Sequence, residues 1–136
     1  MTKIYLIRHA EAEGNLYRRI QGHWDGSITA LGLQQIDALA QRFRHEHIDA
    51  LYCSNLSRAR VTAEAITRYH DVPAVATPRL AEICMGVWEG RAWGDVEHEF
   101  PEQMRYFNTD PEKWSVPGGE PIREVQKRMT RAIQDL

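Results

Sequence analysis

The chain of 136 residues is the length of one domain, and 43% apolar with 26% charged residues is globular composition, which excludes a disordered or fibrous class. A formal net charge of −2 excludes the basic footprint of a dedicated nucleic-acid binder, and no apolar run is long enough to span a bilayer. Arg8 interrupts the first apolar run too early for a signal peptide. Cys53 and Cys84 are too few for a disulfide framework or a metal cluster, and read as packing residues in a reduced, cytoplasmic protein without metal or cofactor.

In chain order, Ile4 to Ile7 predicts a short strand buried on both faces, as in a sheet covered by helices on either side. It stops at Arg8-His9. Open α/β sheets place ligands just beyond the carboxyl ends of strands, so a planar donor fork and an imidazole stand where such a fold puts its chemistry. A neutral His nitrogen can attack phosphorus and carry the group covalently. Taken alone, this dipeptide reads first as an Arg and a His capping a strand end. Glu11 to Ser27 carries three glycines and no period, and reads as a loop. Thr29 caps a helix with Leu33, Ile36, Ala40 and Phe43 on its apolar stripe. Ile48 to Cys53 is a second strand ending at Ser54, followed by a helix that begins near Arg58 and carries Ala59, Ala63 and Ile66. Val72 to Thr77 is a third strand. Alternation of strand and helix predicts a mostly parallel sheet with helices on both faces. From Arg79 to Gly119 the alternation lapses. A helix from about Trp93 to Phe107, interrupted near Pro101, lies among aromatics that read as a satellite core. Pro121 opens a last amphipathic helix with Ile122, Val125, Met129, Ala132, Ile133 and Leu136 as its stripe.

Four islands stand in order along nearly the whole chain: Arg8-His9 with Gly14-Asn15 and Gln21-Gly22; Ser54 to Ala63 around Arg58; Leu80-Ala81-Glu82 with Trp88-Glu89-Gly90; and Pro117 to Glu120. Together they resemble the histidine phosphatase (phosphoglycerate mutase-like) superfamily. The resemblance implies a three-layer αβα sandwich with a mostly parallel sheet, in one domain over 1–136 with a cap-like insertion around 79–119. It implies a phosphatase of small organic phosphate monoesters, with His9 as the nucleophile that becomes phosphohistidine. Arg8 and Arg58 would clamp the phosphoryl oxygens, and Glu82 would protonate the leaving group, with Glu89 as the competitor for that role. Asn15 would donate to the phosphate, or else bond its own loop backbone. Gln21 and Gly22 would border the substrate. Glu11 reads as structural. The stretch Ile83 to Gly90 is similar to the phosphatase branch rather than to the mutases.

Three departures from the family pattern stand out. Ala10 replaces a usual glycine, and Ala12 replaces a usual hydroxyl residue. The family's second histidine, in a late S-H-G motif, has no counterpart among His23, His45, His47, His70 and His98. The expectation is therefore an incomplete unit, lacking a C-terminal part with that histidine and a central strand. A phosphoglycerate mutase and a non-catalytic phosphate-binding module are the alternatives. The partner expected is a small phosphate ester, with neither nucleic acid nor membrane.

Overall fold

The computed structural model describes residues 2–136. An extended segment leads through His9 into a one-turn helix α1 (Glu13–Leu16), then α2 (Ala30–Phe43), β1 (Leu51–Ser54), α3 (Ser57–Thr67) and β2 (Ala74–Thr77). Beyond β2 come two single 3-10 turns, Pro78–Leu80 and Gly86–Trp88, and the helices α4 (Trp93–Glu99), α5 (Pro101–Thr109) and α6 (Ile122–Gln134). β1 and β2 pair in parallel, Leu51 opposite Ala74 and Ser54 opposite Thr77. Parallel partners require a crossover, and α3 supplies it while packing on both strands. The class is α/β.

The expectation for Ile4 to Ile7 requires correction. No strand ladder forms there, and Ile4 and Leu6 are 78% and 99% exposed. Burial alternates instead: Tyr5, Ile7 and His9 are half-buried while Ile4, Leu6 and Arg8 are exposed, Arg8 at the mouth of the cavity described below. Tyr5 packs edge-on against Phe43 of α2 at 5.0 Å, and its hydroxyl donates to Glu46. One face of the segment is covered, and among the described residues no strand lies alongside it to cover the other.

Thr29 caps α2 as expected, its hydroxyl oxygen accepting from the Gly32 N–H at 3.0 Å. The stripe of α2 is Gly32, Ile36, Ala40 and Phe43, whereas Leu33 points out at 53% exposure. Gly32 explains the shift. A Cβ there would come within 2.2 Å of the Glu11 carbonyl oxygen, so the backbone approaches the loop closely at this point. Ala10, Ile36, Ala40 and Ala65 form the core between this loop and the two helices.

A second core gathers the aromatic stretch. Trp88 is fully buried, with Trp114 and Phe107 edge-on at ring distances of 5.5 and 6.0 Å. Ile20, Ile83, Met85, Val96, Met104 and Val125 complete it. A Trp at such a site contributes roughly 3–5 kcal/mol relative to Ala. The satellite-core reading of the aromatics is what the structure shows, and the helical stretch does break at Pro101, into α4 and α5. On α6, Val125 and Ala132 are buried and Ile122 and Met129 pack on the second core, but Ile133 lies outside the stripe and is exposed, as is Leu136 just beyond the helix.

Candidate active site

The loop between the extended segment and α2, the start of α3, and the segment after β2 meet around one cavity of about 480 Å³. It is lined by Arg8, His9, Asn15, Gln21, Gly22, Arg58 and Glu82, so every site residue expected from the sequence converges on one space. Three of the four islands, up to 74 residues apart in the chain (positions 8 to 82), become neighbours here.

His9 is half-buried, and its Nδ1 lies 2.7 Å from the Ala10 carbonyl oxygen. A carbonyl can only accept, so Nδ1 carries the proton and Nε2 keeps its lone pair. Burial pushes the imidazole below its ordinary value. The Arg58 and Arg8 cations push the same way, against the Ala10 carbonyl and the Glu82 carboxylate. The ring is thus held neutral, in the tautomer that leaves Nε2 nucleophilic. Ala10 is fixed in turn: its N–H donates to the Thr62 hydroxyl at 2.9 Å, and that hydroxyl donates to the Arg58 carbonyl at 2.7 Å. One turn of α3 therefore ties the nucleophile's backbone to Arg58.

Arg58 is only 2% exposed. Its guanidinium donates to the Gly22 carbonyl at 2.8 Å and the Trp24 carbonyl at 3.2 Å, and pairs with Asp25 at 3.4 Å. A cation at a helix N-terminus opposes the helix dipole. From the sequence, a bound anion resolves that conflict. The structure corrects this: Asp25 does so, accepting from the Ser57 and Arg58 backbone N–H groups while pairing with the Arg58 side chain. The Gly22 carbonyl can reach Arg58 because Gly22 sits at φ +53, where a Cβ would meet the Glu89 carboxylate at 2.6 Å.

Asn15 holds the role of bonding its own loop: its Oδ1 accepts from the Ala12 N–H at 3.0 Å. That bond orients the amide, so the NH₂ end remains as donor in a residue that also lines the cavity. Ala12 itself is fully buried and does not line the cavity. The Gln21 side-chain oxygen is buried and has no hydrogen-bond partner among the described residues, and the residue lines the cavity.

Glu82 lies on the segment after β2, its carboxylate accepting from the Ile83 N–H at 2.9 Å. Its backbone is held from behind. The Glu82 carbonyl accepts from Arg128 at 3.1 Å and faces His23 Nε2 at 2.9 Å. Arg128 also reaches the Arg79 and Ala81 carbonyls and grips Glu120 through two nitrogens at 2.7 and 2.8 Å. Glu89, the competitor for the acid role, does not line the cavity; one of its carboxylate oxygens accepts from the backbone N–H groups of Met85 at 2.8 Å and His23 at 2.9 Å. The residues that sequence reasoning left without a role are Asp25, Thr62, Glu120 and Arg128; His23, in the loop read as bordering the substrate, instead contacts the Glu82 carbonyl. Their signals are faint: Asp25 follows Gln21-Gly22 by three residues, Glu120 ends the last island, and Thr62 follows Arg58 by one helical turn.

Of the described histidines, His9 alone lines the cavity; His70 contacts the Phe43 carbonyl at the end of α2, and His47 pairs with Asp49. Burial pushes both cysteine thiols up, away from the thiolate form. No described helix is long and apolar enough to cross a membrane.

The chain is 33% identical over 136 residues to a phosphoserine phosphatase 1 of Hydrogenobacter thermophilus, all of this chain matching 64% of that protein. Its fold is similar to the solved structure of Bacillus stearothermophilus YhfR, with a TM-score of 0.88 and 32% identity over 94% of this chain and 63% of that one. It is also similar to a mycobacterial glucosyl-3-phosphoglycerate phosphatase in complex with VO3, with a TM-score of 0.85 and 25% identity over 94% of this chain and 61% of that one. The chain thus spans less than two thirds of the length of these proteins. The profile of the histidine phosphatase superfamily, branch 1, matches residues 4–136, and the chain belongs to that superfamily.

Proposed function

We propose that the protein hydrolyses small organic phosphate monoesters through a phosphohistidine on His9. The observation that carries this reading is the neutral His9 ring, its Nδ1 turned to the Ala10 carbonyl at 2.7 Å, in a cavity shared with Arg8, Arg58 and Glu82. Phosphoryl transfer asks a protein for an aligned nucleophile, charge neutralisation around the transferring oxygens and a proton for the leaving oxygen. Nε2 attacks phosphorus as the ester P–O bond breaks. Arg8 and Arg58 neutralise the equatorial oxygens, with the Asn15 amide as a further donor. Glu82 gives its proton to the departing alkoxide. Water then attacks the phosphohistidine, Glu82 takes back a proton, and the P–N bond breaks to release inorganic phosphate.

The similarity to proteins named for phosphoserine and glucosyl-3-phosphoglycerate supports a small organic ester as the substrate. The unpaired cysteines support a reducing, cytoplasmic location. We read residues 79–119 as the cap over the site within one domain, supported by Trp93 and Phe107, which belong to the second core and also line the cavity. The test is acid-quench labelling of the intact protein with a phosphoryl donor, together with release of free phosphate. Label on His9 and phosphate release are expected, and His9→Ala abolishes both. Label without phosphate release points to a mutase, and no label to a binding module.

A further inference from the structure

An acid that protonates the leaving oxygen must meet an atom one covalent bond from phosphorus, so its place relative to the phosphoryl clamp has to be fixed. Four consecutive residues, Gly22 to Asp25, tie the two together. On one side this strap holds Arg58: the Gly22 carbonyl accepts from the guanidinium at 2.8 Å, the Trp24 carbonyl at 3.2 Å, and Asp25 pairs with it at 3.4 Å. On the other side it holds the acid segment. His23 Nε2 lies 2.9 Å from the Glu82 carbonyl oxygen, and the His23 N–H shares one Glu89 carboxylate oxygen with the Met85 N–H. Strap and segment touch directly, because a Cβ on Gly22 would lie 3.0 Å from the Ile83 carbonyl oxygen. We propose that His23 is a positioning residue for the acid, linking the place of Glu82 to that of the Arg58 clamp; this rests on the phosphatase reading above.

Glu82 needs such a support. Residues 81–84 belong to no helix or strand, so no regular ladder of their own fixes the backbone that carries the carboxyl group. Two side chains reach the Glu82 carbonyl from different places: Arg128 comes from α6, and His23 from the strap that holds Arg58. A carbonyl can only accept, so His23 Nε2 carries a proton. Nε2 is a donor in the imidazolium as well, so the bond survives titration of the ring. His23 is exposed and does not line the cavity, so it acts through Glu82 and not on the substrate. Its leverage is geometric. The acid has to lie within hydrogen-bond reach of the leaving oxygen as the bond breaks, and a small displacement of a proton donor slows the transfer.

The test compares kcat/KM for propyl phosphate and nitrophenyl phosphate with the intact protein. Both report the first transfer, and only the propoxide leaving group needs the proton. His23→Ala is expected to slow propyl phosphate by about threefold or more, the worth of roughly one net hydrogen bond, and to leave the nitrophenyl ester within about twofold. The retained nitrophenyl rate shows that the fold and the clamp are intact. His23→Gln, whose amide N–H reaches toward the same carbonyl, restores the propyl rate, whereas His23→Leu, which fills the space without a donor, does not. In a Glu82→Gln background there is no proton to place, so His23→Ala slows propyl phosphate no further. Equal slowing of both esters, rescue by Leu as well as by Gln, or a loss that persists in the Glu82→Gln background overturns the proposal and leaves the phosphatase reading standing. Turnover of neither ester by the unaltered protein, with no label on His9, overturns both.

Discussion

Replacing Arg128 by Ala removes five hydrogen bonds from one guanidinium: two to Glu120 and one each to the Arg79, Ala81 and Glu82 carbonyls. The consequences are unequal. The Glu82 carbonyl keeps His23, and Arg79 is exposed enough for water to replace the lost donor. Ala81 is 3% exposed, so its carbonyl loses a 2.7 Å donor with little access to solvent, which costs about 1–3 kcal/mol. The ion pair is about four-fifths buried on both sides, so losing it lies between the ~0.2–1 kcal/mol of a surface pair and the ~3–5 kcal/mol of a buried one. Since Glu120 stays hydrated at one edge and still accepts from the Cys84 N–H, the lower end applies. The expected loss is therefore about 2–4 kcal/mol. Urea unfolding of the intact protein measures it directly, as a fall in midpoint at constant slope. Because the same bonds hold the Glu82 backbone, turnover of alkyl phosphates should fall more than that of a nitrophenyl ester. A loss under about 0.5 kcal/mol, the range of ordinary surface changes, with both substrates unaffected would refute the idea that Arg128 braces the acid segment.

Glu82→Gln is expected to slow alkyl phosphates by about 10²-fold or more while sparing a nitrophenyl ester, whose leaving group needs no proton; steady-state rates on both decide, and equal slowing gives Glu82 a structural role. Folding holds His9 below its ordinary value of 6.5, so just below that pH the unfolded chain binds the proton more readily. Stability should rise with pH up to about 6.5, and His9→Gln should flatten that rise in urea titrations across pH; an unchanged slope would mean that His9 is not buried as a neutral ring. Gly86 sits at φ +55, and a Cβ there would lie 2.2 Å from the Pro117 carbonyl oxygen and 2.4 Å from the Gly119 nitrogen. Both are backbone atoms, so Gly86→Ala should cost more than about 2 kcal/mol in unfolding free energy, and a loss below about 1 kcal/mol contradicts the close approach.

Local patterns read correctly where a single stretch contains its own reason. Thr29 before an apolar stripe is a complete statement about a helix start, Pro101 about a helix break, and alternating strand and helix about a parallel pair. The site residues were legible for a different reason: Arg8-His9, Arg58 and Glu82 sit inside motifs whose order matches a known superfamily. What no stretch contains is its neighbour. Ile4 to Ile7 reads as a doubly covered strand from its own apolarity, yet Leu6 is exposed, because burial depends on what packs alongside. The same holds for Leu33, turned outward because Gly32 meets the Glu11 carbonyl. The dipole at the start of α3 is balanced by Asp25, more than 30 residues earlier, and the backbone of Glu82 is held by Arg128, 46 residues later. The sequence by itself determined which groups are available for the chemistry and the order of the elements that carry them. Their long-range hydrogen-bond partners, among them the Thr62 hydroxyl that fixes the backbone beside His9, came from the fold, since they arise from contacts between segments that share no local pattern.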